Sequence, residues 1–327
     1  MSRIAVTGAT GFLGSRLCEI LKQSGHEVVG LGRNPKAGAA LTAMGVDFRP
    51  GDLTDAAYVD RALLGVEVLV HSAALSSPFG RYKNFYTANV VTTEIVLGAS
   101  IKHHISRYIH ISTPSIYFDF KDRLNVSEAD PLPHPLVNHY ATTKYLAEIA
   151  VNKAFESGLE TIILRPRGIF GPQDTSVMPR VIKALEDKRF PLFRKGHVKI
   201  DLTYVDNVVE AIVRCLDAKP ACFGKVYNIT NDDPRDIKDI VDVLSTNLSI
   251  PFHPKRVPYS LAYSVAWLVE WVHTILNIEP QFTTYTLGLV AFSNTLDISA
   301  AKKDLNYSPK ISLDQGLSKF TDWWKCK

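Results

Sequence analysis

The sequence predicts an α/β protein: a doubly wound parallel sheet followed by a second, smaller C-terminal domain. Three observations predict it. Short apolar runs alternate with helical patterns through the first half, a glycine triad sits at the first strand-to-helix turn, and prolines break the rhythm from about Pro172 onward. Parallel strands require long crossovers, usually helical, so a β-α-β-α rhythm implies a sheet covered on both faces. The 327 residues suffice for one large domain and a smaller one. A composition 46% hydrophobic and 21% charged can bury a core and excludes a disordered chain.

Taken in order, RIAVTGA is the first strand, followed by a helix from about Phe12 to Gly25 and by EVVGLG as the second strand. VDFRPGD is the third strand and, after another helix, VEVLVHSAA is the fourth. YIHIST, a helix starting near Tyr140 and TIILRP complete a six-stranded domain over residues 1–171. Residues 172–327 are expected to form the smaller, interleaved substrate-binding domain, but LTYVDN and KVYNIT still read as strands, so 198–231 should return to the sheet. The stretch YSLAYSVAWLVEWVHTIL (259–276) approaches the ~20 apolar residues of a membrane span. Glu270 and His273 inside it argue for a buried helix or a lid over a pocket instead, with shallow contact at a membrane surface left open.

A formal net charge of +4 without a run of five like charges gives no nucleic-acid arm. The four cysteines, Cys18, Cys215, Cys222 and Cys326, form no Cys-x-x-Cys pair and lie near no histidine cluster, so no metal site and no disulfide framework are expected. A reducing, cytoplasmic compartment fits this usage. The start, MSRIAVTGATG, lacks the pattern of a secretory signal.

In AVTGATGFLG, Gly8, Gly11 and Gly14 follow a strand and open a helix. A diphosphate approaches where side chains are absent and is held by the free N–H groups and positive end of the helix, which makes Gly8, Thr10, Gly11, Phe12, Leu13 and Gly14 a candidate dinucleotide loop of Rossmann type. Gly32 stands at the end of the second strand, where an acid would select NAD, and Arg33 follows it. A guanidinium suits a 2′-phosphate, so NADP(H) is favoured over NAD(H). Asp52 and Leu53 are placed at the adenine, and Ser72, Ala73 and Ala74 near the middle of the cofactor. His71 reads as a packed core histidine.

Hydride chemistry needs a partner that moves a proton. Tyr140 and Lys144 lie four residues apart, on one face of the helix suggested by YATTKYLAEIAVNKAF, and an ammonium there would favour the phenolate. A second Tyr-x-x-x-Lys, Tyr117 and Lys121, lies in a stretch without helical periodicity that leads into Pro131, Pro133 and Pro135. It reads as a loop and is rejected as the pair. Ser112 and Thr113 end the preceding strand, and the Thr113 hydroxyl is the candidate to hold a carbonyl oxygen on which charge develops.

Together TGATGFLG, GDLTD, HSAA, IST followed by Tyr117, YATTK and LRPRGIFGP resemble the extended short-chain dehydrogenase/reductase family over essentially the whole chain. The resemblance implies a catalytic set of Thr113, Tyr140 and Lys144, with Asn89 as the central-helix asparagine and Pro166 beside the nicotinamide. ISTPSIYF, LRPRGIFGPQDTSVMPR and DLTYVDN are similar to the 3β-hydroxysteroid dehydrogenase branch, with its sterol-4-carboxylate dehydrogenases and 2-alkyl-3-oxoalkanoate reductases. This implies hydride transfer to a 3-oxo group, or from a 3-hydroxy group, of a bulky lipid such as a long-chain 2-alkyl-3-oxo acid or a sterol. Arg167 and Arg180, in the shared stretch, are candidates for a substrate carboxylate. Where many relatives have Tyr-Gly, this chain has Tyr117-Phe118, which alters a pocket wall. Two alternatives stand beside this reading. A nucleotide-sugar epimerase or dehydratase is disfavoured by Gly32 and by Pro114-Ser115, where dehydratases carry Asp-Glu; a non-catalytic NADP-binding protein is disfavoured by the intact Thr113, Tyr140 and Lys144. A homodimer is left open.

Overall fold

A computed structural model describes residues 1–255, 257–276, 280 and 282–327, apart from the side chains of 274–276. Its centre is a parallel sheet of β1 (Arg3–Thr7), β2 (Glu27–Gly32), β3 (Asp47–Pro50), β4 (Val68–His71), β5 (Arg107–Ile111), β6 (Glu160–Pro166) and β7 (Lys225–Ile229). The spatial order is β7-β6-β5-β4-β1-β2-β3. The chain runs outward in one direction from β1 to β3 and in the other from β4 to β7, so the order reverses beside β1. Ligands of such sheets bind in the crevice beyond the carboxyl ends of the strands at that reversal. The sheet has seven strands where the first domain's rhythm shows six, because KVYNIT pairs in register with β6 from Lys225↔Ile162 to Ile229↔Pro166.

The strands are apolar on both faces because helices cover both. Ile4 and Val6 of β1 pack with Leu17 and Leu21 of α1 (Phe12–Gln23) on one side, and Ala5 joins Val29, Leu69, Val96 and Val151 on the other. On the second face lie α2 (Ala56–Ala62), α3 (Thr92–Lys102) and α4 (His139–Glu156). A single π-helical turn, Tyr86–Val91, precedes α3. Helix α1 ends at Gln23, and Gly25 takes φ +84° in the following turn. Helix α4 begins where Asn138 Oδ1 accepts the Ala141 N–H at 2.8 Å.

The C-terminal part contributes α5 (Met178–Glu186), α6 (Val205–Leu216), α7 (Ile237–Leu248), α8 (Tyr259–Leu276), α9 (Thr284–Ala291) and α10 (Leu313–Lys325). Helix α6 covers the large sheet, tied to α1 by the forked pairing of Arg16 with Asp206 at 2.7 and 2.9 Å. A second, four-stranded sheet joins Arg123–Val126, Lys199–Ile200, Arg235–Asp236 and Asn294–Leu296, so it recruits one strand from the first half of the chain.

Three expectations are corrected. LTYVDN does not return to the large sheet: Thr203–Tyr204 pairs with Ile169–Phe170 in a separate two-stranded sheet, and Val205 opens α6. Residues 114–117 form a 3-10 turn rather than open loop, with Tyr117 fully buried. Helix α8 is no core helix: Leu261, Val265, Trp267, Leu268 and Trp271 are each more than half exposed. Among the described residues no helix is long and apolar enough to cross a membrane.

Candidate active site

The glycine loop runs from the end of β1 into α1. Gly8 takes φ +68°, and a Cβ there would lie 2.9 Å from Ala73, so the loop presses against the segment after β4. A Cβ on Gly14 would meet the Gly8 carbonyl oxygen at 2.2 Å. Gly11 caps α1 without a side-chain hydrogen bond, which leaves first-turn N–H groups open to an anion. These residues fit a dinucleotide diphosphate.

Thr7 connects the two rims. Its carbonyl accepts from Ser72 Oγ at 2.6 Å, and its hydroxyl accepts from Ala73 N at 3.2 Å. Leu53 is buried beside exposed Asp52, whose carboxylate accepts the Thr54 N–H and hydroxyl, each at 2.9 Å. Those bonds hold Asp52 below the usual carboxylate range, with attraction from Arg33 adding to them. Arg33 is exposed. Gly32 is small for a visible reason: a Cβ there would come within 2.9 Å of Thr10 Oγ1.

At the other end of the crevice, β5, β6 and α4 bring Thr113, Pro166, Tyr140 and Lys144 to one region. Burial of its surroundings pushes the Tyr140 phenol above its ordinary value, and hydrogen bonds with Thr113 and Ser76 pull it back. Lys144 is fully buried, and its Nζ donates to the Ile111 carbonyl at 2.7 Å and lies 3.2 Å from His110 Nε2. Burial lowers it to about 8 against the attraction of Glu148. The Lys144 ammonium is held at the end of β5, one helical turn from Tyr140 on α4. Thr113 also starts a hydroxyl chain, 2.9 Å from its Oγ1 to Ser115 Oγ and 2.7 Å onward to Tyr285 Oη.

Asn89 sits in the π-helical turn. Its Oδ1 accepts the Leu75 N–H at 2.7 Å, and its Nδ2 donates to Leu75 O and, at 3.0 Å, to Thr143 Oγ1. It thereby fastens the segment holding Ser72–Ser76 to the helix that carries Tyr140. His71 is buried with both nitrogens engaged, by Thr7 at 2.8 Å and Thr93 at 3.0 Å, and burial lowers it to about 3. Tyr117 stands apart from this chemistry. Its hydroxyl accepts from Arg165, which is held by Glu148 at 2.9 and 2.5 Å, and donates to Asn228 at 3.1 Å, while Lys121 is exposed.

From Thr113 and Pro166 an apolar cavity of about 240 Å³ extends between α5, α7 and α9, lined among others by Val181, Ile240, Leu244 and Val290. Arg167 lines it, 7% exposed. Among the described residues its guanidinium makes no hydrogen bond. Burial lowers the Arg167 pKa, with Asp201 and Tyr285 opposing. Asp201, on the same wall, is raised by burial to about 6 although it accepts the Leu296 N–H at 2.8 Å. Arg180 is exposed and does not line this cavity, so the two arginines are not brought together.

Sequence reasoning missed Ser76, Ser115, Asp201 and Tyr285. Ser115 had a local signal, two residues beyond Thr113. Asp201 opens the stretch DLTYVDN, which carries the family resemblance without singling the residue out, and Tyr285 had no signal, since only packing brings it to Ser115.

The model of the NAD dependent epimerase/dehydratase family matches residues 4–230. The chain is 32% identical to the 2-alkyl-3-oxoalkanoate reductase of Stenotrophomonas maltophilia (strain K279a), over 96% of this chain and 97% of the other. It is 31% identical to 3beta-hydroxysteroid-dehydrogenase/decarboxylase isoform 1 of Arabidopsis thaliana, over 97% and 78%. The crystal structure of UDP-glucuronic acid 4-epimerase from Bacillus cereus in complex with NAD superposes with a TM-score of 0.79 at 25% identity, covering 99% of each chain.

Proposed function

This chain belongs to the NAD dependent epimerase/dehydratase family of extended short-chain dehydrogenases/reductases and is an oxidoreductase, and we propose that it reduces the 3-oxo group of a bulky lipid-like acid with NADPH. The observation that carries this reading is the apolar cavity leading from Thr113 to a buried Arg167 guanidinium without a hydrogen-bond partner among the described residues. Asp201 on the same wall attracts the guanidinium without bonding it, and a planar substrate carboxylate would complete it through two charge-assisted bonds. The apolar walls suit an alkyl chain or ring system far better than a sugar diphosphate.

A bound nicotinamide supplies the hydride. Tyr140, kept protonated by burial, donates its proton to the oxygen as negative charge develops there. Thr113, steadied by Ser115 and Tyr285, orients that oxygen. Lys144 adds positive charge at the end of β5, and Asn89 holds the neighbouring wall.

NADPH oxidation followed by absorbance, beside NADH, with a long-chain 2-alkyl-3-oxo acid and a 3-oxosteroid tests the reading. Turnover of the acid supports it, whereas silence with both substrates despite tight cofactor binding overturns it. Replacing Arg33 by Ala should weaken NADPH roughly ten- to a hundredfold, the worth of a charge-assisted bond, and leave NADH unchanged, as read from KM for each. Arg167→Met should raise KM for the oxo acid by a similar roughly ten- to a hundredfold and kcat little. The methyl ester of the same acid, lacking the charge, should lose no affinity.

A further inference from the structure

Helix α8 presents its apolar side outward. Leu261, Val265, Leu268 and Val272 are spaced four, three and four residues apart, so they form one stripe, and they are 57%, 55%, 54% and 38% exposed. Trp267 and Trp271, each 56% exposed, extend that face to one side. The opposite side is anchored, with Ala266 buried against Phe193, Leu287 and Ala291. An ordinary surface helix shows the reverse pattern.

Beside the stripe runs a groove of about 530 Å³, lined by Leu261, Val265, Phe282, Pro191, Val257 and Arg189. Exposed Lys255 pairs with Pro191 next to it. Helix α9 is a wall shared by two spaces: Leu287 faces this groove, while Tyr285, Leu289 and Val290 line the apolar cavity.

We propose that this face docks shallowly on an anionic lipid bilayer, with the α8 stripe sunk into the headgroup boundary and the α9 wall turned toward the lipid. Both indoles suit that boundary, since each has an apolar body and a polar N–H. Arg189 and Lys255 at the groove complement anionic headgroups. No described helix can cross a membrane, so the contact is interfacial. The inference goes beyond the reductase reading, because membrane contact is measured without turnover.

The test is co-sedimentation of the full chain with vesicles of phosphatidylcholine and phosphatidylglycerol, beside vesicles of phosphatidylcholine alone. Expected are pelleting with the anionic vesicles and a blue shift of tryptophan emission. Trp267→Ser with Trp271→Ser should lower partitioning by about tenfold or more, because binding scales with the apolar area inserted. The double variant should keep its cofactor affinity and elution volume. Arg189→Gln with Lys255→Gln should weaken binding to anionic vesicles roughly thirtyfold, on about a fivefold loss per cation. Wild-type protein that stays in the supernatant with both vesicle types at low salt overturns the proposal. So does a tryptophan variant that turns a dimer into a monomer while vesicle binding is unchanged, which would assign the face to a second copy.

Discussion

Tyr140→Phe lowers kcat of the reductase reaction by about a thousandfold, within the range for losing a positioned proton donor, while NADPH binding persists. The substitution removes only the hydroxyl that hydrogen-bonds Thr113 and Ser76 and leaves the ring packed on α4. The glycine loop from Gly8 to Gly14 packs on itself and on Ser72 and Ala73. Stopped-flow turnover beside NADPH fluorescence titration separates the two effects. Unchanged turnover would remove Tyr140 from the mechanism, and lost NADPH binding would make it a structural residue.

Lys144→Met has the second large effect, and its signature lies in stability as well as rate. Burial lowers the folded pKa of Lys144 to about 8 from the ordinary 10.5. Between those two values the unfolded chain keeps a proton that the folded chain has released, so the contribution of this group to stability rises with pH across that window. Below about pH 8 both states are protonated and the full cost of burying the ammonium is present. Methionine removes that cost and that slope. The variant should therefore lose turnover by roughly a hundredfold or more yet be no less stable at pH 7, and its stability relative to wild type should fall as pH rises from about 8 to 10.5. Urea melts at several pH values, run beside kcat, read both. A variant that is strongly destabilised at pH 7 would show that the bonds to Ile111 and His110 outweigh the desolvation of the ammonium.

Glycine spacing, strand-helix rhythm and the alternation of apolar runs are local properties, and they determined the doubly wound sheet, its glycine turn into the first helix and the placing of Tyr140 and Lys144 on one helix. Which of the two Tyr-x-x-x-Lys pairs lies on a helix was also legible, since only one follows a helical period. The surroundings of Tyr117 were not: it is buried beneath Arg165, Glu148 and Asn228, which come from three separate elements. The seventh strand was visible as an apolar run, but its place at the sheet edge depended on pairing with β6.

Other features were settled only by tertiary structure. Composition made 259–276 resemble a buried helix, yet burial is decided by what packs against a helix, and here the Ala266 side is packed while Leu261, Val265, Trp267, Leu268 and Trp271 are exposed. Arg167 and Arg180 looked equivalent in sequence. The fold turned one into the apolar cavity and the other out to the surface, because Arg167 follows β6 into the cavity wall whereas Arg180 lies on the side of α5 away from Met178 and Val181, which line that cavity. The charge on Lys144 was read as acting on Tyr140 by its position one turn away. Where that ammonium is held was decided by packing: it donates to the Ile111 carbonyl at the end of β5, an acceptor within its reach.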